Sequence, residues 1–494
     1  MKLKIGGESM FSDAIAIFLQ VLFILNIIFA VFIFLFERRN PAVTWVWIII
    51  ALLIPYIGFF LYLLIGLEGR KHGVFSRKAR QDEKFFSDYA ENLNSEKTAI
   101  AKTRPSFFDN NHINNMVHLN YSLNQSLMTS DNEVDIFYDG NEKFDTLIKD
   151  IEKAKKFIHL QYYIVKNGYL SKKLVAALTK KAKEGVEVRF MFDGMGCART
   201  SKKLFKPLED AGGKIGIFLP PYFIRINYRN HRKICVIDGE IAYVGGFNIG
   251  DEYLGLVKRF GNWHDCHIRI TGSAVCELNL RFVTDWNHCS KETVPLERKY
   301  FPSNPETYDK NDGVKIQIVS SGPDTARPNV HSSFLKMITK AEKSIYIQSP
   351  YFVPDDALLE MLRIAALSGV DVRIMIPANP DHPFVYWAAL SYMSELLDAG
   401  VKCYQYENGF VHSKILIVDG FLATVGTTNM DIRSFKLNFE TNAFIYDKET
   451  AFKLEQQFLK DIEYCTVIDM EFYKKRRNRA RIREAIARLI SPLL

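Results

Sequence analysis

Between Ala14 and Phe36 the chain reads AIAIFLQVLFILNIIFAVFIFLF, almost unbroken by polar residues. At about 1.5 Å of rise per helical residue, such a run crosses a hydrocarbon core of about 30 Å and predicts a membrane-spanning helix. After the short break ERRNPA, a second apolar run covers Val43–Ile65, with Trp45, Trp47, Tyr56 and Tyr62 as interfacial anchors and Pro55 as a kink. Residues 1–66 therefore predict an α-helical transmembrane hairpin with helices at about 14–36 and 43–65. The first run is too long for a cleavable signal peptide, and no small-x-small site follows it. Lys2, Lys4, Arg70, Lys71, Arg77, Lys78 and Arg80 flank the hairpin, against Arg38 and Arg39 in its loop. The positive-inside rule then predicts a multi-pass protein of the cell membrane with everything after residue 66 in the cytoplasm.

Residues 67–132 include a polar, Asn-rich stretch with few periodic apolar positions and predict a linker with a surface helix. Beyond it the chain repeats itself. IEKAKKFIHLQYYIV (Ile151–Val165) is echoed by ITKAEKSIYIQSPYFV (Ile338–Val353), each a helix end followed by a strand. LVAALTKKAKEGVEVRFMF (Leu174–Phe192) matches LLEMLRIAALSGVDVRIMI (Leu358–Ile376): an amphipathic helix, a Gly stop and an apolar strand. LEDAGGK and LLDAGVK then precede HRKICVID and HSKILIVD. Strands alternating with helices predict two α/β halves, 133–300 and 301–470, each with a mostly parallel sheet covered by helices. Corresponding positions lie 181 to 187 residues apart, so the soluble part is a tandem duplication. Duplicated halves related by a pseudo-two-fold axis can bring one segment from each to a common cleft.

Composition narrows the partners. A hydrophobic content of 48% excludes general disorder, and a formal net charge of +8 favours anionic partners. The seven cysteines are scattered and lack any C-x-x-C pair, which predicts thiols in a reducing compartment. Zinc-ligand spacings, Ca²⁺ loops and nucleotide-binding glycine motifs are missing, and neither metal nor cofactor is expected.

The candidate chemistry sits in the duplicated HRKICVID and HSKILIVD strands. Alternation puts His231 and Lys233 on one face, and His412 with Lys414 likewise, while Asp238 and Asp419, an odd number of positions on, point away and organise structure. Each strand leads to a polar cluster, VGGFN with Gly246 and Asn248, or VGTTN with Thr427 and Asn429. United in one site, two imidazoles, two ammonium groups and two amides form a receptor for a phosphate diester. A neutral imidazole can attack phosphorus and form a phosphohistidine, while a protonated one hands a proton to the departing alkoxide. Lys233, Lys414, Asn248 and Asn429 would hold the non-bridging oxygens. Asp265 and Glu440, on downstream strands, are the candidates for orienting the second ring nitrogen of each histidine.

The signature H-x-K-x₄-D followed by G-[GST]-x-N, present twice over about residues 133–465, resembles the phospholipase D superfamily. The resemblance implies two tandem phospholipase D-like domains, one shared cleft and a phosphohistidine intermediate. Its catalytic residues fall on His231, Lys233, Asp238, His412, Lys414 and Asp419, and its phosphate-binding residues on Asn248, Asn429, Gly246 and Thr427. The chain departs at Gly246, where the signature often has Ser. The hairpin, ERRNPAVTWVW and NHRKICVIDGEIAYVGGFNIGDEYLG are similar to the bacterial cardiolipin synthase subfamily. That similarity implies transfer of a phosphatidyl group between two phosphatidylglycerol molecules, with His231 as nucleophile and His412 as general acid. The symmetry of the two motifs does not itself distinguish these roles.

The carboxy-terminal KKRRNRARIREAIARLISPLL (from Lys474) carries eight Lys/Arg and one acid, with apolar residues at 482, 486, 489, 490 and 493 near one helical face. This tail, residues 471–494, predicts a basic amphipathic helix on an anionic bilayer rather than on nucleic acid. Two other function classes stay open at this point: a phosphodiesterase that hydrolyses phospholipid or nucleic acid, and an inactive membrane scaffold. Products distinguish the first, and a covalent histidine adduct the second.

Overall fold

The computed structural model describes residues 5–36, 41–54, 58, 62, 75–92, 111–220, 227–302 and 313–491. The chain forms two compact units, divided after Phe75.

In the first unit, helix α1 (Ile5–Phe36) contains the segment Asp13–Leu35, which among the described residues is the one helix long and apolar enough to cross a membrane. Helix α2 (Pro41–Leu53) starts on a proline whose missing N–H costs nothing in the first turn. The two helices pack antiparallel: the Asn26 amide donates to the Ala51 carbonyl, and Ile33 meets Trp47, Ile48 and Tyr62 in one buried cluster. Phe29 and Trp47 both meet the Tyr62 ring edge-on, at 5.1 and 5.4 Å. Thirteen residues of α2 rise only about 20 Å. Most of the remainder of the span expected to Ile65, Pro55 included, lies outside the described residues.

The second unit is built on one 16-stranded sheet. The first half contributes β1 (Thr129–Phe137), β2 (Phe157–Tyr162), β3 (Glu187–Asp193), β4 (Lys214–Phe218), β5 (Arg229–Asn230), β6 (Ile234–Ile237), β7 (Ile241–Gly245), β8 (Trp263–His264) and β9 (His267–Thr271). The second half supplies β10 (Val314–Ser321), β11 (Ser344–Gln348), β12 (Phe352–Val353), β13 (Asp371–Pro377), β14 (Lys402–Tyr406), β15 (Phe410–Val411), β16 (Ile415–Val418), β17 (Leu422–Gly426), β18 (Met430–Asp431), β19 (Asn438–Tyr446) and β20 (Cys465–Ile468). The order β20-β14-β13-β11-β16-β17-β19-β10-β1-β9-β7-β6-β2-β3-β4 reads the same from either end once β20 is removed, so the pseudo-two-fold axis passes between antiparallel β10 and β1. The two halves thus share one sheet, each with its own apolar cluster, around Leu160 and Leu174 in the first and Ile347 and Leu362 in the second.

The expectation of mostly parallel sheets needs correction. Along the main path of the sheet only β2-β3-β4 and β11-β13-β14 run parallel, with the helix Tyr169–Lys183 crossing from β2 to β3 and Asp356–Leu367 from β11 to β13. The His-x-Lys strands instead enter hairpins, β6–β7 and β16–β17, and a turn as short as their three residues can join strands only antiparallel.

Two helices in the span read as linker dock onto this unit through polar groups, which is why apolar periodicity does not reveal them. On Ser76–Asn92, Lys78 is buried with its ammonium 2.5 Å from Asp82, 3.1 Å from Asp285 and 2.9 Å from Asp324. On Asn111–Asn124, the Asn120 amide donates to Gln317 and to the Tyr446 hydroxyl at 3.1 and 3.0 Å.

Asp238 and Asp419 mark the ends of the two motifs. Both take left-handed φ, 56° and 55°, at the hairpin turn. The Asp238 carboxylate accepts from the backbone N–H groups of Lys155, Lys156 and Phe157 at 2.7, 2.7 and 2.9 Å. Asp419 does the same for Glu342, Lys343 and Ser344 at 2.9, 2.7 and 2.9 Å. These side chains therefore tie each hairpin to the start of β2 or β11. We expect Asp238→Asn, which turns an acceptor toward N–H groups into a donor, to destabilise the protein by about 1–3 kcal/mol. The denaturation midpoint of the purified protein measures this, and an unchanged midpoint would refute the bracing role.

Candidate active site

The short strands that carry the histidines pair with the opposite half. β5 runs parallel to the start of β19 in the register Asn438↔Arg229 and Phe439↔Asn230, and the His231 N–H donates to the Phe439 carbonyl at 2.9 Å. In mirror fashion β15 pairs with β8, Phe410↔Trp263 and Val411↔His264, and the His412 N–H donates to the His264 carbonyl at 2.7 Å. The residue after each accepting carbonyl is a carboxylate, Glu440 or Asp265. His231 Nδ1 consequently lies 3.0 Å from Glu440 Oε2 and 3.1 Å from the Thr427 carbonyl, and His412 Nδ1 lies 2.6 Å from Asp265 Oδ2. Since these neighbours only accept, Nδ1 carries the hydrogen in both rings and Nε2 keeps its lone pair.

The four cationic candidates share one environment. Lys233 and Lys414 are 0% and 2% exposed, and each ammonium donates to the carbonyl of its own histidine, Lys233 at 2.6 Å. Each histidine also feels the lysine of the other half, and the two lysines repel one another. Burial, reinforced by Lys233 and Lys414 and opposed by Glu440, holds the His231 imidazole down at about 4. Burial and Lys414 hold His412 below its ordinary value too, against Asp265. Burial lowers the Lys233 ammonium well below the usual lysine range and brings Lys414 to about 8, with Asp265 and Glu440 opposing. Burial raises the Glu440 carboxyl, but the adjacent His231, Lys233 and Thr427 outweigh it and keep the group ionised. The site is thus short of negative charge. An arriving phosphate anion supplies it, favours the protonated lysines and meets two bare Nε2 atoms.

The remaining predicted residues divide. Asn248 faces the backbone and an aromatic neighbour: its Oδ1 accepts from Ile164 N–H at 3.1 Å and its amide donates to the Tyr253 hydroxyl at 3.0 Å. Asn429 is buried with Oδ1 unpaired among the described residues. The Thr427 hydroxyl, expected to serve phosphate, donates to Glu440 Oε2 at 2.5 Å and so braces the carboxylate that orients His231. Gly246 has the matching place beside Asp265, where a Cβ would come within 1.9 Å of Asp265 Oδ1. That oxygen is held instead by the Cys266 N–H at 2.8 Å. The departure at Gly246 is therefore a different way of bracing the second carboxylate. Asp238 and Asp419, grouped with the catalytic residues by their motif, spend their carboxylates on backbone N–H groups and do not reach the imidazoles.

Sequence reasoning missed a supporting layer. Arg232, between His231 and Lys233, pairs with Asp285 at 2.5 Å and donates to the Glu440 carbonyl at 3.2 Å. Asp285 also receives the amides of Gln161 and Asn230 at 2.7 and 2.9 Å. In the second half Gln348 donates to Asp461 at 2.9 Å, and Asp461 holds His264 Nε2 at 2.7 Å. The repeated glutamine was the available signal. The Tyr163 ring stands 5.0 Å from that of His231, and Trp263 stands 5.2 Å from His412.

Two outcomes follow. Gly246→Ser should displace Asp265 from His412 and lower kcat by about a hundredfold; steady-state kinetics reads this, and a near-normal kcat would sink the bracing argument. The Lys414 ammonium, the group able to pair with an anion beside His412, is present below about 8 and lost above it. The value of kcat/KM should accordingly fall as pH rises through about 8, and Lys414→Arg, which keeps its charge, should shift that fall upward. An unmoved alkaline limb would assign it to another group.

The family profile "Cardiolipin synthase, PLD-like domain" matches residues 147–262 and 334–462, one copy per half, and "Phospholipase_D-nuclease N-terminal" matches 24–66. The chain is 46% identical over 486 residues to "Major cardiolipin synthase ClsA" of Bacillus subtilis (strain 168), covering 97% of this chain and 99% of that protein. It is 45% identical over 489 residues to a cardiolipin synthase of Listeria welshimeri, with coverage of 97% and 99%. Against a cardiolipin synthase of Staphylococcus aureus (strain Mu50) it is 45% identical over 483 residues, covering 96% and 95%. The crystal structure of phosphatidylserine synthase from Haemophilus influenzae Rd KW20 superposes with a TM-score of 0.59 at 15% identity, over 77% of this chain and all of that one, which is a likeness of fold. With both motif copies inside the matched repeats and relatives aligned nearly end to end, the chain belongs to the cardiolipin synthase family of phospholipase D-like phosphatidyltransferases.

Proposed function

We propose that the protein makes cardiolipin by moving a phosphatidyl group from one phosphatidylglycerol to another. The observation that carries the reading is the pair of imidazoles, each with Nδ1 on a buried carboxylate of the opposite half and each beside a buried lysine. In the first step His412 takes up a proton at Nε2 as the phosphate anion enters, Asp265 supporting the imidazolium; His231 Nε2 attacks phosphorus, the bond to the headgroup glycerol oxygen breaks, and His412 Nε2–H gives that oxygen its proton. Glycerol leaves. In the second step His412 Nε2 takes the proton of a hydroxyl on another phosphatidylglycerol, and the resulting oxygen attacks phosphorus as the P–Nε2 bond breaks. Two phosphatidylglycerols become one cardiolipin and one glycerol. Lys233, Lys414, Asn248 and Asn429 neutralise and orient the non-bridging oxygens, worth several kcal/mol to the transition state.

The apolar α1 and its packed partner α2 support a multi-pass anchor, with the catalytic unit on the cytoplasmic side by the distribution of basic residues. The helix Asn478–Ile490 supports a second contact with anionic lipid. Ile482, Ile486 and Leu489 are 58%, 50% and 68% exposed and are interspersed with exposed Arg479, Arg481 and Arg483, while Ala487 is buried and Arg488 pairs with Glu395 at 2.5 Å. Leu493 lies outside the described residues. Neither face argues for nucleic acid.

In vesicles of phosphatidylglycerol the enzyme should release glycerol and form cardiolipin in equal amounts without added metal. His231→Ala and His412→Ala should each lower the rate by at least about a thousandfold. Quench in alkaline denaturant, in which a P–N bond survives, should leave label from a phosphorus-labelled donor on the peptide containing His231. Label on the His412 peptide would reverse the two roles, and phosphatidic acid as the main product would replace transfer by hydrolysis.

A further inference from the structure

The duplicated halves should offer matching surroundings to the reacting phosphate, and for the histidines and lysines they do. Around that set the symmetry breaks. The repeat places Arg229 opposite Phe410, each two residues before its histidine, and Arg433 opposite Glu252, each four residues after its asparagine. Strand pairing adds a third difference: Arg229 registers with Asn438, whereas Phe410 registers with Trp263.

These differences make two unlike walls. Against His412, the Phe410 and Trp263 rings meet at a tilt of 47° with centroids 4.7 Å apart, Phe260 and Tyr253 lie 5.3 and 4.5 Å from the indole, and Glu252 is spent on Lys166. Beside His231, Tyr163 takes the place of that aromatic group, and Arg229 and Arg433 both act on its hydroxyl, Arg229 through a hydrogen bond. Arg229 sits on the strand bearing His231 with its side chain on the same face. Arg433 begins the helix Ile432–Lys436 that follows Asn429. The pseudo-equivalent tyrosine, Tyr351, meets no such pair; its hydroxyl donates to Asp381 at 2.6 Å. The two guanidinium groups thus lie near one another beside Tyr163, with the carboxylates of Asp193 and Asp431 also near, and Arg229 donates in addition to the Tyr228 carbonyl at 2.7 Å.

Given the function proposed above, on which this inference rests, the substrates are asymmetric too. Both lipids carry a phosphodiester anion, but only the donor's is attacked and served by the symmetric set. The acceptor brings a second anion to within a glycerol's length of the first, where the two repel. Planar guanidinium forks bind such a phosphodiester in a fixed orientation, which an ammonium does not. We propose that Arg229 and Arg433 hold the non-reacting phosphodiester of the acceptor lipid and thereby aim its free glycerol hydroxyl at the phosphohistidine. The pair selects an alcohol that carries its own phosphate over water and over neutral alcohols.

The test uses the full-length enzyme in phosphatidylglycerol vesicles and compares acceptors that share the donor step. Cardiolipin formation needs a phosphate-bearing acceptor, whereas exchange of labelled glycerol into phosphatidylglycerol needs none. Arg229→Gln and Arg433→Gln should each lower the ratio of cardiolipin formed to glycerol exchanged by about tenfold, with Arg433→Lys falling between them and the wild type. The wild type should also use soluble glycerol 3-phosphate over glycerol by a similar factor in kcat/KM, a comparison that needs no variant to fold. An unchanged ratio in both variants, or no preference of the wild type for glycerol 3-phosphate, overturns the assignment. Absence of cardiolipin from the wild type refutes the parent function instead, and the preference between the two soluble alcohols still decides the arginine site.

Discussion

Everything chemical in this molecule depends on an exchange of short strands between its halves. Two residues of backbone pairing place His231 beside the carboxylate of the second half, and two more place His412 beside that of the first. The exchange fixes ring orientation and tautomer together, because the residue following each shared carbonyl supplies the only kind of partner that Nδ1–H can use. A duplicated α/β fold without the exchange would leave two separate half-sites, each with a nucleophile and no orienting group.

That geometry concentrates charge where water cannot screen it. Two lysines, two histidines and two carboxylates lie almost wholly buried, an arrangement that raises the energy of the empty site and lowers that of a bound anion. The surroundings absorb this cost. Arg232 and Lys78 neutralise the carboxylates Asp285, Asp324 and Asp82; burial pushes the Lys78 ammonium toward neutrality, but the three acids outweigh it and keep the charge. Through Asp285 this cluster also holds Gln161, Asn230 and Arg232, whose backbone neighbour is His231 itself. The ion cluster under the motif thus limits the motion of His231.

How far the chain could be read without coordinates depended on which interactions are local. The apolar run of α1, the duplication and the paired motifs are visible because each repeats a period or a spacing. Asp265 and Glu440 were found because their strands follow the motifs at matching places. The continuous sheet was not legible, since nothing in β1 or β10 alone says that they pair with each other. Nor was the docking of Ser76–Asn92, whose anchor is a lysine meeting acids about 200 residues away or more, nor the reason for Gly246, which exists only once Asp265 is beside it in space. Thr427 shows the same limit from the other side: a hydroxyl in a phosphate-binding signature turns inward to a carboxylate that no spacing rule connects to it.

The crossed strands also bear on the life of the chain before it is complete. Domains fold as they emerge during synthesis, amino-terminal parts first. A nascent first half therefore carries His231 before residue 440 has been translated, with no carboxylate to direct the ring and no second histidine beside it. Cross-bracing thus makes assembly of the site wait for the second half: a truncated polypeptide lacks both the carboxylate that directs His231 and the second imidazole.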